Sequence, residues 1–245
     1  VLSLIAERDN ICNQIHLPAQ SGNDTVLEAM GRGYTVASYR NLVHSIRQRI
    51  PDVALTSDFI AGFCGETEAA HQDTLRLIHD IKYTFCYCFP YSMREKTRAF
   101  RRLVDDVADE VKRRRAVELV DHFRQDALLL KRAQIGQKQL VLVEGRSPRS
   151  ADDVAGKNDN GIKVILPNLQ GSLSVEPSGN ADAPYLTRPM QPGDYVIAEI
   201  THATSQSLKG RPLRFSSVTD FHRDLRNLTP EVADPLPVNA AKLAL

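Results

Sequence analysis

The spacing of apolar positions changes near Gln134, and the change divides the chain into two parts. Before that residue, strand-like runs alternate with segments whose apolar residues recur every three or four positions, which is typical of alternating strands and amphipathic helices. The predicted helices span about 23–30, 36–49, 68–81 and 107–133, and the predicted strands about 12–18, 53–61 and 84–90. This alternation predicts an α/β unit whose parallel sheet is flanked by helices.

Residues after Gln134 lose the helical period, and short β-like runs appear between Gly, Pro, Asn and Asp. Runs at 139–143, 162–166 and 195–200 predict a small all-β barrel. The segment 167–192 has the composition of a loop, and the proline-containing end predicts a disordered or loosely attached tail. The predicted units are residues 1–133, residues 134–220 and the tail 221–245.

Composition and charge exclude some classes of protein and leave others open. Hydrophobic content of 42% and charged content of 25% over 245 residues are typical of a soluble globular chain with one large or two ordinary domains. The net charge of +1 does not indicate a nucleic-acid binder, so any such surface must be local. No signal peptide or membrane-spanning run is visible. Because residue 1 is Val rather than Met, we expect a piece of a longer protein.

The four cysteines do not have the spacing of a metal or disulfide framework. Cys12, Cys64, Cys86 and Cys88 form no Cys-x-x-Cys pair and are too sparse for a secreted disulfide scaffold, which favours a reducing compartment. Cys86 and Cys88 alternate along a predicted strand, so both thiols point to one face. We expect them to pack as small core residues rather than to hold a metal.

Three loops follow the predicted strands and combine glycine with polar side chains. They are His-Leu-Pro-Ala-Gln-Ser-Gly at 16–22, Asp-Phe-Ile-Ala-Gly-Phe-Cys-Gly-Glu-Thr at 58–67, and Tyr-Ser-Met-Arg-Glu-Lys-Thr at 91–97. Carboxyl ends of parallel strands carry the active site in α/β barrels, so we expect the loops to lie together. The simpler interpretation of 58–67 is a strand-to-helix turn whose acidic residues suit the start of a helix.

These loops, together with the predicted barrel behind them, resemble the radical S-adenosylmethionine (SAM) methylthiotransferases that modify tRNA. The resemblance covers about 15–213. Most bacterial relatives have Pro, Pro and Gly at the positions of Met93, Glu95 and Lys96. The segment that contains these three residues resembles that of the eukaryotic mitochondrial branch. The implied fold is α/β: the second half of a radical SAM (βα) partial barrel, followed by a small all-β, OB-like TRAM barrel.

The resemblance implies the carboxyl-terminal part of an enzyme that converts isopentenyladenosine next to the anticodon to its 2-methylthio derivative. It implies S-adenosyl-L-methionine and, in the complete protein, two 4Fe-4S clusters and an electron donor. The implied partner is tRNA, no membrane association is implied, and the protein would be a monomer. The implied location is the mitochondrion, with the cytoplasm as the alternative.

Individual residues take their implied roles from the matching motifs. The cofactor-binding set is Gln20, Ser21, Asp58, Gly62, Glu66 and Arg94. The RNA-binding set is Lys209, Arg211, Lys163 and Arg146, for which solvated surface charge is the simpler interpretation. The family's cluster motif Cys-x-x-x-Cys-x-x-Cys is missing, so we expect no metal ligand, no catalytic residue and no activity in this chain alone.

Three other interpretations stay open. A sister methylthiotransferase would act on threonylcarbamoyladenosine in tRNA or on a ribosomal protein, although the segment 91–97 argues against both. A non-catalytic RNA-binding fragment is the alternative from a different class. The third is a degenerate fragment without function.

Overall fold

The computed structural model describes residues 1–168, 186 and 188–228, which form a helix-covered parallel sheet and a closed β barrel. The helices are α1 (Leu2–Glu7), α2 (Asp24–Met30), α3 (Val36–Arg49), α4 (Glu68–Ile81), α5 (Arg98–Arg102), α6 (Asp109–Arg132) and α7 (Val218–Leu228). The strands are β1 (Gln14–His16), β2 (Ala54–Ala61), β3 (Phe85–Pro90), β4 (Lys138–Arg146), β5 (Asp153–Asn158), β6 (Lys163–Pro167), β7 (Tyr195–Ala203) and β8 (Ser207–Ser216).

The sheet of the α/β part has the order β1-β2-β3, and both pairings are parallel. Thr56 of the central strand pairs with His16 on one side and Phe85 on the other. One face of β2 is covered: Leu55 and Phe59 lie in a core with residues of α3, α4 and α6. The opposite face is called the inner face below, because it would point into a completed barrel. This part is the parallel sheet with flanking helices that the sequence predicts, and it is consistent with the half barrel that the resemblance implies.

Local capping explains where three of the helices begin. The side chain of Asn23 accepts hydrogen bonds from two backbone N–H groups of α2, and the hydroxyls of Thr35 and Thr67 accept one each at α3 and α4. A capped N–H no longer needs water, which stabilises the first turn. Gly31 ends α2 in the left-handed conformation that glycine adopts without steric cost.

The second part is a closed barrel with strand order β4-β5-β6-β8-β7. Side chains alternate between its interior and its surface, as they must along a strand. The buried interior includes Val141, Val164, Val196, Ile200 and Leu208. The β6 and β8 strands pair in parallel, and the other four pairings are antiparallel. The predicted small all-β barrel is confirmed.

A turn of the barrel contacts the half barrel at the amino-terminal ends of its strands. The backbone N–H of Asn13 donates to Asp159 at 3.2 Å, and the amide of Asn160 donates to the Asp52 carbonyl at 3.1 Å. Gly161 has a φ of 68° in this turn, a left-handed conformation that glycine adopts without steric cost, and it lies against the side chain of Gln14. The three predicted loops lie at the carboxyl ends of the same strands, where the barrel does not cover them.

The structure differs from the sequence-based expectations at three places. Helices α1 and α5 were not anticipated from the apolar spacing, because they are only 6 and 5 residues long. Residues 221–228 belong to helix α7 rather than to a tail, and Phe221 packs beside the barrel. The rest of the predicted tail, and most of the predicted loop 167–192, lie outside the described residues. No helix of the described part is long and apolar enough to cross a membrane.

A lysine is buried where the last long helix meets the sheet. Lys131 is 1% exposed, and its ammonium donates to the Thr84 carbonyl at 2.8 Å. Burial disfavours the charged form and lowers the pKa of Lys131 to about 8. Between that pKa and the ordinary value for lysine, the unfolded chain binds more protons than the folded chain. The contribution of Lys131 to stability must therefore rise with pH in this interval.

We expect the difference in unfolding free energy between the wild type and Lys131→Met to shift in favour of the wild type by roughly 2 kcal/mol from pH about 7 to pH about 10. Urea unfolding at both pH values measures this shift. Lys96→Met removes an exposed ammonium instead and is the matched control. A constant difference for Lys131→Met would show that its charge is not penalised by burial.

Candidate functional site

The candidate site lies where β1, β2 and β3 end. Gln20 forms a parallel bridge with Phe59, because its N–H donates to the Asp58 carbonyl at 2.9 Å and its carbonyl accepts from Ile60 at 3.0 Å. After the third strand, the N–H of Tyr91 donates to the Ala61 carbonyl at 2.8 Å. Backbone pairing therefore brings all three loops to one edge of the sheet.

Gln20 combines backbone strain with an unused side chain. Its φ of 66° lies in the left-handed region, which is unfavourable for a residue with a side chain. The residue is 8% exposed, and its side-chain amide makes no hydrogen bond to another described residue, although its polar atoms still reach solvent. An amide can both donate and accept, so this side chain is available to a polar ligand. This combination suits a position that contacts a polar ligand.

Ser21, by contrast, is occupied with holding its loop in place. It is 1% exposed, its hydroxyl accepts from the N–H of Asn23 at 3.2 Å, and it lies 3.4 Å from the hydroxyl of Thr74 on α4. The backbone of Gly22 touches α4 so closely that a Cβ there would lie 2.5 Å from the Asp73 carbonyl oxygen. The geometry supports a structural role for Ser21, and its contact with a cofactor stays a prediction.

Glu66 is a buried residue that links two parts of the second loop, residues 58–67, to each other and to helix α6. Its carboxylate accepts from the N–H of Gly62 at 2.7 Å and from the Arg115 guanidinium at 3.0 Å, and it is 4% exposed. Burial raises the pKa of Glu66, although both of these donors act in the opposite direction. Gly62 has a φ of 74° and leaves room for Lys112, because a Cβ would lie 2.4 Å from that side chain. Glu66 therefore orders the loop, and direct cofactor contact stays a prediction.

Asp58 projects from the inner face beside His16. The carboxylate lies 3.3 Å from Nε2 of His16, whose Nδ1 lies 2.9 Å from the Thr56 hydroxyl. The side chains of His16 and Asp58 are 46% and 30% exposed, so both can be reached by a ligand on this face. Asp58 is therefore placed on the open side of the sheet rather than buried in the strand.

Arg94 lines a cavity of about 520 Å³ at the carboxyl ends of β2 and β3. The cavity, called the upper cavity below, has apolar walls and two cationic side chains. Its main lining residues are Met30, Ile60, Phe63, Phe89, Tyr91, Arg94 and Arg98. A mostly apolar cleft with a few polar groups is the usual form of a small-molecule site.

The four predicted RNA-binding residues are exposed but not gathered at one point. Lys209 and Arg211 lie two apart on β8, and Arg211 pairs with Glu199 at 2.6 Å. Lys163, on the neighbouring β6, lines a groove of about 540 Å³ between the barrel and the half barrel, called the lower groove below. Arg146, at the end of β4, lines a different hollow. Phosphate contact by any of them stays a prediction.

The cysteines do not form an iron–sulfur site. Cys12 is exposed, Cys64 and Cys86 are buried, and all four thiols are free. Cys86 and Cys88 pack against the core, as their alternation predicts, and burial raises the pKa of Cys88 to about 12. Such clusters need thiolates, and neither group of potential metal ligands in the described part contains a cysteine. The residues present therefore do not fit a 4Fe-4S cluster.

Sequence reasoning missed Arg115, which is the partner that orders the second loop. It lies on α6, 49 positions after Glu66, and is 5% exposed. Within a helix that carries many charges, nothing local distinguishes it from Arg114, whose side chain is 46% exposed. Only the packing of α6 against the loop identifies it.

Two family models match this chain. Residues 1–78 match the Radical SAM superfamily, and residues 132–213 match the TRAM domain. The fold and these matches define the class, which is a radical SAM barrel segment joined to a TRAM domain.

Curated relatives extend the likeness through both parts. The chain is 53% identical over 220 residues to the mitochondrial tRNA methylthiotransferase CDK5RAP1 of Homo sapiens, covering 90% of this chain and 35% of that protein. It is 38% identical over 213 residues to the tRNA-2-methylthio-N(6)-dimethylallyladenosine synthase of Chloroherpeton thalassium, covering 87% of this chain and 43% of that protein. The chain is therefore similar to these tRNA methylthiotransferases through both of its parts, and it spans less than half the length of these relatives.

We expect Arg115→Leu to lower the free energy of unfolding by about 3–5 kcal/mol, because it leaves a buried carboxylate without its cation. Denaturant unfolding at neutral pH measures the loss. Arg114→Leu on the same helix removes an arginine whose pairs are exposed, so a smaller loss is expected. Equal losses in the two variants would contradict the role assigned to Arg115.

Proposed function

We propose that this chain is the carboxyl-terminal part of a tRNA methylthiotransferase. The complete enzyme converts isopentenyladenosine next to the anticodon to its 2-methylthio derivative by radical SAM chemistry. The observation that carries the proposal is the 53% identity over 220 residues, a length that neither structural unit could supply alone. The names of the relatives also support a mitochondrial location.

The strand-end loops of this chain would help to hold S-adenosyl-L-methionine, which supplies the radical and the methyl group in such enzymes. Gln20 is the best-supported contact, since its strained backbone presents an unpaired amide beside the strand ends. Arg94 is exposed at the upper cavity, where its guanidinium could pair with the carboxylate of S-adenosyl-L-methionine. Asp58 faces the same open side, whereas Ser21 and Glu66 would act by keeping the loops in shape.

The iron–sulfur chemistry would come from outside this chain. Its cysteines do not fit a cluster, so the two 4Fe-4S clusters, and the electron donor that reduces them, are proposed for the complete protein only. The chain alone would then be inactive. A non-catalytic RNA-binding fragment is the second candidate, and the same cysteine arrangement favours it.

A chimaera tests the proposed function directly. This chain replaces the matching region of the human relative, and the reconstituted protein is given tRNA that carries isopentenyladenosine. Mass spectrometry of the digested nucleosides should show the 2-methylthio product. An intact, cluster-loaded chimaera that yields none would favour the RNA-binding alternative.

In the same chimaera, Gln20→Ala should weaken S-adenosyl-L-methionine binding by about 1–3 kcal/mol, since a buried polar partner would be left without its hydrogen bond. Isothermal titration calorimetry measures the affinity. Gln48→Ala, an exposed position on α3, serves as the matched control and should bind like the wild type. Unchanged affinity in Gln20→Ala would remove this residue from the site.

The barrel should contribute phosphate contacts to tRNA binding. Replacing Lys209 and Arg211 with Ala should flatten the plot of log affinity against log salt by roughly 1–2 units, since each contact releases counterions. Different tRNAs should weaken alike, because phosphate contacts carry no sequence information. Glu199→Gln releases Arg211 from its ion pair and should strengthen binding at low salt. Coincident slopes for the wild type and the double variant would place the RNA contact elsewhere.

A further inference from the structure

Two cavities open on the inner face of the sheet, one at each end of the edge strand β3. The lower groove is bounded by Phe85 and Tyr87 on one side and by Lys157 and Lys163 of the barrel on the other. The upper cavity begins at Phe89, two positions after Tyr87. The two cavities therefore adjoin the same strand, and residues of that strand line both.

Tyr87 and Phe89 form an aromatic surface between these cavities. Their rings are nearly parallel, with centroids 6.2 Å apart and an interplanar angle of 7°. They are 52% and 50% exposed, although large aromatic side chains usually bury most of their area. Phe85 supports Tyr87 from below through an edge contact at 4.8 Å. Two flat rings thus face open space on a rigid strand.

The charge around this aromatic surface is positive. Lys131, Lys157 and Lys163 line the lower groove, Arg94 and Arg98 line the upper cavity, and no Asp or Glu is among the described residues that line either one. Lys157 pairs with Glu144 at 3.2 Å, whereas Lys163 has no ion-pair partner in the described part of the chain. Asp58 is the register partner of Tyr87 and lies beside it on the same face, where its carboxylate is 3.3 Å from Nε2 of His16. It is one acidic side chain among the five cationic ones that line the two cavities. The surface therefore suits an anionic partner better than a cationic or purely apolar one.

We propose that this surface binds the single-stranded part of an RNA loop. Bases stack on Tyr87 and Phe89, while the backbone phosphates pass Lys163 and Lys157 at the lower groove. Proteins commonly bind unpaired nucleotides with aromatic rings flanked by cations. Each base can stack on a ring, and each backbone phosphate can contact a cation. The proposal rests on tRNA as the partner in the proposed function, and it assigns the loop's position.

The geometry also explains why the ligand should be single-stranded. In a duplex, base faces are stacked on one another and are not available to protein rings, whereas loop nucleotides can be splayed onto aromatic side chains. The aromatic surface leads from the barrel, where phosphate contacts are proposed, to the upper cavity at the strand ends. A loop that follows β3 would therefore reach the cofactor-side loops.

The test uses the whole chain and a short single-stranded RNA that contains the fluorescent base 2-aminopurine. Tyr87→Leu/Phe89→Leu removes the flat rings but keeps apolar volume on the strand. Phe100→Leu is the matched control, since Phe100 is 51% exposed and lines neither cavity. Anisotropy gives the affinity, and quenching of 2-aminopurine reports stacking. Thermal unfolding checks that the variants are folded, and either single variant replaces the double one if it is not.

We expect the double variant to bind the RNA at least about 5-fold more weakly, with lost quenching and an unchanged salt slope. Lys163→Ala should show the reverse, with quenching kept and the salt slope reduced by about 1 unit. Phe100→Leu should match the wild type. The same sequence as a duplex should bind more weakly than the single strand and should not respond to loss of the rings.

Each other outcome overturns the proposal in a recognisable way. Wild-type affinity and quenching in a folded double variant would exclude the aromatic surface while leaving tRNA binding by the barrel intact. Equal binding of duplex and single strand would exclude loop recognition. No RNA binding by the wild-type chain would overturn this inference and leave the chimaera to decide the proposed enzyme activity. In the chimaera, tRNA binding unaffected by the double substitution would show that another protein segment covers the rings.

Discussion

Parallel pairing of β2 with a strand on each side is the constraint on which the rest of this structure depends. Because β1 and β3 run in the same direction as β2, all three strands deliver their following loops to one edge. The same pairing exposes the inner face on one side and buries Leu55 and Phe59 against helices on the other. The barrel meets the opposite ends of the strands, so the loop edge stays accessible.

Polar groups in this molecule divide into those that hold loops and those left available. Glu66 and Ser21 have the identities expected of ligand contacts, but buried partners already use their oxygens. Gln20 and Arg94 differ, since the Gln20 amide has no partner in the part of the chain that the structure describes and Arg94 lines a cavity. A buried carboxylate is stable only when it has hydrogen-bond or ion-pair partners. The carboxylate of Glu66 is therefore needed to hold its own loop in place. Residue type in a motif therefore does not by itself separate binding from architecture.

Much of the fold could be predicted, because its signals are local. The apolar period indicated helices 36–49 and 68–81 with the bounds that the structure shows, and capping by Thr35 and Thr67 acts within one turn. Short helices such as α5 escaped detection, since five residues are too few to display a period. Helix α7 escaped because its stability comes partly from Phe221 packing on the barrel, and from a pair between Arg226 and Asp9 that is 217 positions apart.

The sequence by itself determined the alternation of elements, the change of class near Gln134, the loops that follow the strands, and the family those loops resemble. Tertiary structure alone decided that Arg115 and Lys131 are buried, that the Gln20 amide has no hydrogen-bond partner among the described residues, and that Tyr87 and Phe89 lie open between two cavities. The physical reason is distance along the chain. Periodicity and capping act over a few residues, whereas burial and pairing depend on which distant segment lies opposite each side chain.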